Sequence, residues 1–266
     1  MAALNPTKAE QFLFDLFCTP LSRSRNNKVG IYDRSESLSF KFKNYNIHGY
    51  RINAHEGSKK VIVAHGFSSG VRNFQNLAEA IAEAGFEVLV FDAPGHGKSS
   101  GKLINGLLYS EMIIHANKKY GPFDHFIGHS LGGLAVALVL EQLNPDHHHK
   151  AIFIAPATET TSAINTAFNV LGLKDEKYHK LLNNAILKYS KHPAEWFSIN
   201  RIFPHLRTNN LWIHDEDDDV TPIKDAEPIL KKNWPNLTTK ITQGLGHQKI
   251  YKTKEIVSLI VDFLKS

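Results

Sequence analysis

Residues 126–140 read Phe-Ile-Gly-His-Ser-Leu-Gly-Gly-Leu-Ala-Val-Ala-Leu-Val-Leu. A short apolar run of strand character meets Gly128-His129-Ser130-Leu131-Gly132 and passes without a linker into a helical run. The chain must therefore turn sharply at Ser130. Glycines two before and two after the serine suit such a turn, because its flanks come so close that a Cβ would clash. Strand, tight turn and helix with a serine at the tip is the layout of a nucleophile elbow, which lifts the serine Oγ out of the sheet. A Gly-x-Ser-x-Gly pattern arises by chance in about one chain in ten of this length, so the surrounding elements have to decide its meaning.

The rhythm around the elbow names the fold class. Residues 38–43 alternate apolar and polar, and residues 45–52 resume that period, as an antiparallel hairpin requires. From residue 60 the pattern changes to short continuous apolar runs at 61–64, 86–91, 126–127, 151–155 and 211–214, each fit for a strand buried on both faces. Residues 239–242 make a last, edge-like strand. Helical stretches separate them, at 74–82, 107–119 and 134–140, with an amphipathic helix at 256–264 closing the chain. Strands alternating with helices predict an α/β chain with a doubly wound, mostly parallel sheet. Between residues 155 and 209 the alternation stops, and helical pieces at 163–171, 178–189 and 193–200 take its place. We expect residues 156–205 to form a helical cap, and residues 1–155 and 206–266 to form the core. Ligands of open α/β sheets bind at the carboxyl ends of the strands, where such an insertion would sit. Residues 1–35, with a short apolar segment and a polar stretch at 22–28, are expected to be irregular.

The whole chain bounds the possibilities. Its 266 residues, 42% hydrophobic, supply a full core. No apolar run reaches the roughly 18–20 residues that a membrane span needs, and the N-terminus lacks a basic region followed by an apolar stretch. One cysteine, Cys18, excludes an internal disulfide, and a cytoplasmic setting is the expectation. The net charge of +5 comes from scattered lysines with no dense basic block, so no nucleic-acid partner is expected. The triplet His147-His148-His149 follows Pro145 in a loop and reads as solvated rather than as a metal site.

A serine nucleophile needs a base, a group that orients the base, and donors for the oxyanion. Among 15 histidines, His247 is singled out by its place in the last loop before the C-terminal helix. The acid lies in the run 215–222, Asp-Glu-Asp-Asp-Asp-Val-Thr-Pro, where Asp218 ranks first and Asp217 second. The oxyanion donors would be the backbone N–H of Leu131, directly after the serine, and that of Phe67 in the His65-Gly66-Phe67 loop after the 61–64 strand.

With these segments in hand, the chain resembles the α/β-hydrolase superfamily, and within it the capped serine hydrolases: monoglyceride lipases, carboxylesterases and serine aminopeptidases. The resemblance rests on His65-Gly66-Phe67, on Asp92-Ala-Pro-Gly-His-Gly-Lys-Ser99, on the elbow, and on Asp218-Asp-Val-Thr-Pro222 with Gly246-His247. It covers residue 40 to the end. It implies that Ser130 attacks a carbonyl, that His247 takes its proton and that Asp218 orients His247. It also implies that His65 and His96 shape loops, and that neither metal nor organic cofactor takes part. The chain departs from the family pattern at His214-Asp215, where relatives often carry glycine.

The apolar side chains of the expected cap, among them Ile164, Phe168, Leu182 and Trp196, favour an apolar acyl or alcohol group. The expected partner is a small acyl substrate, and hydrolysis of short-to-medium acyl esters is the reading. Thioesterase or aminopeptidase action on the same triad is the nearest alternative. An aminopeptidase would need carboxylates at the pocket, for which Glu159 and Glu195 are the candidates. A non-catalytic small-molecule receptor on the same fold is the alternative of another class.

Overall fold

The computed structural model describes residues 6–20 and 30–266. Apolar runs with no polar alternation can only be satisfied by burial on both faces, and they form the middle of one sheet. Its strands are β1 (Glu36–Phe42), β2 (Tyr45–Ile52), β3 (Lys60–Ala64), β4 (Glu87–Phe91), β5 (His125–His129), β6 (Lys150–Ile154), β7 (Asn209–Asp215) and β8 (Leu237–Thr242). Their order is β1-β2-β4-β3-β5-β6-β7-β8. The hairpin β1–β2 is antiparallel and joins β4 antiparallel, whereas β4, β3, β5, β6, β7 and β8 run parallel to one another. The last strand, β8, has no fully buried residue, as an edge strand with one neighbour permits.

The helices are α1 (Pro6–Cys18), α2 (Gln75–Glu83), α3 (Gly106–Tyr120), α4 (Leu131–Leu143), α5 (Thr160–Val170), α6 (Glu176–Ser190), α7 (Ile199–Ile202), α8 (Glu227–Leu230), α9 (Gly246–Lys249) and α10 (Lys254–Lys265). Successive side chains of a strand face opposite sides, so the sheet feeds two cores. Ile62, Leu89, Phe126, Phe153 and Trp212 pack with α3 and α4. Val61, Val90, Ile127, Ile152 and Ile213 pack with α2 and α10. Helix α4, buried from Gly132 to Leu140, is apolar all round because sheet and helices enclose it.

Two local expectations are corrected. The N-terminal segment is not irregular: residues 6–18 form α1, whose buried Leu13, Phe14 and Cys18 lie on one face. Helix α1 packs on α6, where its buried Glu10 accepts from Lys188 Nζ and, at 3.3 Å, from Asn184 Nδ2. The polar stretch at 22–28 lies outside the described residues. The single helix expected over residues 193–200 is instead a 3-10 turn, Ala194–Trp196, followed by α7. Ser198 breaks it: its backbone is extended, it bridges to Glu159, and its hydroxyl accepts from Arg201 N at 3.2 Å, capping α7. Arg201 then holds α7 to α4 by a bidentate pair with Glu141 at 2.6 and 2.9 Å.

Candidate active site

Because β3, β5, β7 and β8 are parallel, their carboxyl ends lie along one edge of the sheet. The loops leaving them carry Phe67, Ser130, Asp218 and His247. Ser130 sits at φ 54°, ψ −123°, a conformation that non-glycine residues rarely adopt. Such a geometry costs on the order of 1–3 kcal/mol and persists only where its surroundings enforce it. Here the enforcement is visible. Ser130 N donates to the Ile154 carbonyl at 3.2 Å, and the Ser130 carbonyl accepts from Gly133 N and Ala157 N, both at 2.9 Å. A Cβ on Gly128 would stand 2.5 Å from the Gly132 carbonyl oxygen, and one on Gly132 would stand 2.3 Å from that of Ala64.

The loop after β3 passes against the serine, so closely that a Cβ on Gly66 would lie 3.0 Å from Ser130 Cβ. Two histidines hold this loop. His65 Nδ1 donates to the Gly66 carbonyl at 2.8 Å while its Nε2 accepts from Ala93 N at 3.0 Å. His96 Nε2 donates to the Phe67 carbonyl at 2.7 Å. Asp92 ties the 92–99 loop together, accepting from Val71 N and Lys98 N at 3.1 and 3.0 Å. The N–H groups of Phe67 and Leu131 have no acceptor among the described residues. Leu131 N–H is also at the first turn of α4, where the helix dipole favours negative charge.

His247, at the start of α9, meets the acid loop. Its Nδ1 donates to Asp218 Oδ2 at 2.8 Å. The other oxygen of Asp218 accepts from Val220 N at 2.9 Å and Thr221 N at 2.8 Å. Burial opposes ionisation of Asp218, yet the His247 bond and these backbone donors hold its carboxyl below the ordinary 3.8. With the proton on Nδ1, the lone pair of His247 is on Nε2. The neighbouring aspartates do different work: Asp217 Oδ2 accepts from Gly244 N at 2.9 Å, and Asp215 Oδ2 from Thr242 Oγ1 and Leu245 N at 2.7 and 3.0 Å. Neither is bonded to His247 among the described residues. His214 occupies the position where a glycine was the family pattern. Its Nε2 donates to the Thr221 carbonyl at 2.7 Å and braces the 215–222 loop. Ser130 Oγ and His247 Nε2 have no hydrogen-bond partner among the described residues; such bonds are often long before a substrate arrives.

Several participants escaped the sequence reading. His129, the variable residue of the elbow, is buried, and its Nε2 donates to the His247 carbonyl at 2.9 Å. Burial, and then the charge of His247, lower its pKa to about 3, so the ring stays neutral. Thr221 Oγ1 lies 3.0 Å from Asp218 Oδ2 and 3.1 Å from His247 Nδ1, a second tie between these two side chains. A histidine or threonine carries no signal of such a contact until the loops are folded. Helix α1 did carry one: Leu13, Phe14, Phe17 and Cys18 recur at helical spacing.

Ser130 opens on a cavity of about 430 Å³, lined by residues of α1, α5, α6 and the loop after β3, none of them charged. Glu159 and Glu195 do not line it. Glu159 accepts from Ser198 Oγ and Asn200 Nδ2, both at 2.6 Å, and Glu195 is exposed. Cys18 does line it, but burial pushes its thiol up to about 12, which leaves no thiolate at neutral pH. No cluster of three or more His, Cys, Asp or Glu suited to a metal occurs among the described residues, and no helix there is long and apolar enough to cross a membrane.

The molecule is similar in fold to an esterase of Pyrococcus furiosus, with a TM-score of 0.69 at 19% identity over 93% of this chain and 98% of that one. In sequence it is 24% identical over 249 residues to an uncharacterised abhydrolase domain-containing protein of Dictyostelium discoideum, covering 77% of this chain and 26% of the relative. It is 29% identical over 140 residues to a 2-hydroxy-6-oxononadienedioate/2-hydroxy-6-oxononatrienedioate hydrolase of Burkholderia vietnamiensis, covering 47% of each. The chain thus spans about a quarter to a half of the length of these curated relatives. The family model described as serine aminopeptidase, S33, matches residues 55–201, which hold the β3 loop, the 92–99 loop and the elbow. The chain belongs to this family, within the α/β-hydrolase superfamily.

Proposed function

We propose that the protein is a serine hydrolase that cleaves carboxylic esters with an apolar acyl group. Ser130 Oγ adds to the ester carbonyl and passes its proton to His247 Nε2. Asp218 keeps the proton of His247 on Nδ1 and stabilises the imidazolium that forms. The N–H groups of Phe67 and Leu131 donate hydrogen bonds to the carbonyl oxygen as it gains negative charge, a contribution of typically about 3–4 kcal/mol per donor. Collapse expels the alcohol, which takes the proton from His247, and water then releases the acid by the same steps. In this reading residues 156–205 act as a cap over the serine.

The observation that carries the proposal is the uncharged cavity at Ser130. A free amino terminus brought there would lose its hydration with no carboxylate to replace it, which costs several kcal/mol. This disfavours aminopeptidase action and favours an apolar acyl chain. Labelling with a fluorophosphonate, read by intact mass, tests the nucleophile. One adduct on the native protein and none on Ser130→Ala is the expected result. p-Nitrophenyl esters should be hydrolysed and amino-acid p-nitroanilides should not. Labelling that survives Ser130→Ala, or anilides turned over faster than any ester, would overturn the assignment, and ligand binding without turnover would make the protein a receptor.

A further inference from the structure

The family match begins at residue 55, so α1 lies outside it. Yet Leu13, Phe14, Leu16, Phe17 and Cys18 of α1 line the cavity on which Ser130 opens. The helix is fixed at both ends. Near its start, Glu10 is bound by Lys188 and Asn184 of α6. At its end, the Cys18 carbonyl accepts from Ile104 N at 2.8 Å, just before α3. Between them the Phe14 ring packs on Tyr189 of α6 with centroids 5.0 Å apart. A helix tied to two separate elements and apolar toward the cavity is a rigid wall.

We propose that α1 is the wall of an acyl-chain channel and sets the length of chain the protein accepts. This deepens the esterase reading and rests on it. The ligand class follows from the lining. With no charged residue in the wall, the occupant is an apolar chain. At roughly 30 Å³ per methylene, the share of liquid volume that a water molecule takes, 430 Å³ holds on the order of a dozen carbons. The surface points the same way. Of nine exposed large apolar side chains among the described residues, five line this cavity: Leu16, Val170, Leu171, Tyr189 and Val220. Apolar groups in water are accounted for here by a channel that opens among them, through which an apolar chain enters.

Phe17, partly buried, is the position to vary, because it faces the cavity without supporting the centre of the core. The test compares Phe17→Trp, which narrows the channel, and Phe17→Ala, which widens it. p-Nitrophenyl esters of two to fourteen carbons give kcat/KM for each. Each methylene that finds apolar wall is worth about fourfold. The native protein should prefer esters of about eight to twelve carbons. Phe17→Trp should lower the decanoate-to-acetate ratio at least tenfold, and Phe17→Ala should move the preferred length upward. Calorimetric titration with 1-octanol and 1-butanol reads the channel without turnover. The native protein should bind octanol on the order of a hundredfold tighter, and Phe17→Trp should erase most of that gap. Thermal midpoints identify a variant that fails to fold, in which case Phe17→Leu and Phe17→Tyr replace the pair. An unchanged chain-length profile and an unchanged octanol gap would overturn the proposal. So would a loss equal at every chain length. If no ester is hydrolysed and the phosphonate misses Ser130, but the octanol gap responds to Phe17, the esterase reading fails while the channel stands.

Discussion

Gly132→Ala tests the elbow most directly. The added Cβ would stand 2.3 Å from the Ala64 carbonyl oxygen, 2.6 Å from its carbon and 2.7 Å from the His65 carbonyl oxygen, where ordinary contact begins at 3.4 Å. All three obstacles are backbone, and none can swing aside. The end of β3 and the start of α4 must therefore separate by about 1 Å. That gap has Leu131 N–H on one side and the loop bearing Phe67 N–H on the other, so the two N–H groups proposed as oxyanion donors move apart. A misplacement of about 1 Å costs on the order of a hundredfold in rate, and overpacking costs about 1–3 kcal/mol in stability. With p-nitrophenyl butyrate, kcat should fall about a hundredfold with little change in KM, because the loss is felt in the transition state. The rate of phosphonate labelling should fall with it, and the melting temperature by a few degrees. Gly57→Ala is the control: it has a positive φ of 78° but nothing within 4 Å of the new Cβ, so stability changes without activity. A Gly132→Ala protein with kcat within about threefold of the native value would refute the assignment of Phe67 and Leu131 as the oxyanion donors.

Asp218→Asn should lower kcat on the order of a thousandfold or more, since an amide cannot stabilise the imidazolium and favours the wrong tautomer; Asp217→Asn, one residue away, should leave it within a few-fold, and equal losses in steady-state assays would return the acid assignment to open competition. Stability should fall as the pH is lowered from 7.5 to 5. Burial, followed by repulsion from His96 and His247 respectively, lowers His65 and His129 to about 3, so both stay neutral in the fold while the unfolded chain protonates them below 6.5. In that window the unfolded state binds more protons, and each ring costs roughly 2 kcal/mol at pH 5. Asp218, whose pKa is depressed, keeps its stabilising contribution until the pH falls below its ordinary 3.8, so it does not compete in this range. Urea midpoints at the two pH values read the effect, and equal midpoints would contradict it.

The sheet was legible in the chain because its period is local. Val61 to Ala64 and Ala151 to Ile154 are runs that only double-sided burial satisfies, and the Leu38–Phe42 alternation only a half-buried edge. The serine was legible for a similar reason: a strained turn demands glycines at set offsets, whatever lies elsewhere. Asp218 could be ranked above Asp217 but not separated from it, because both occupy one loop and only the folded loop decides which carboxylate faces the ring.

What the sequence determined by itself is the frame: parallel strands, a strained turn at Ser130, and in order along the chain the loops that carry Phe67, Asp218 and His247. What only the tertiary structure decided is everything that depends on two distant segments meeting. Asp218 reaches His247 across 29 residues, His129 braces the His247 loop from 118 residues away, and Lys188 reaches Glu10 across 178. The same holds for α1. Its apolar stripe marks a helix that must bury one face, but a stripe carries no record of its partner. Packing against α6 and the end of the sheet turned that face into the wall of the cavity at Ser130.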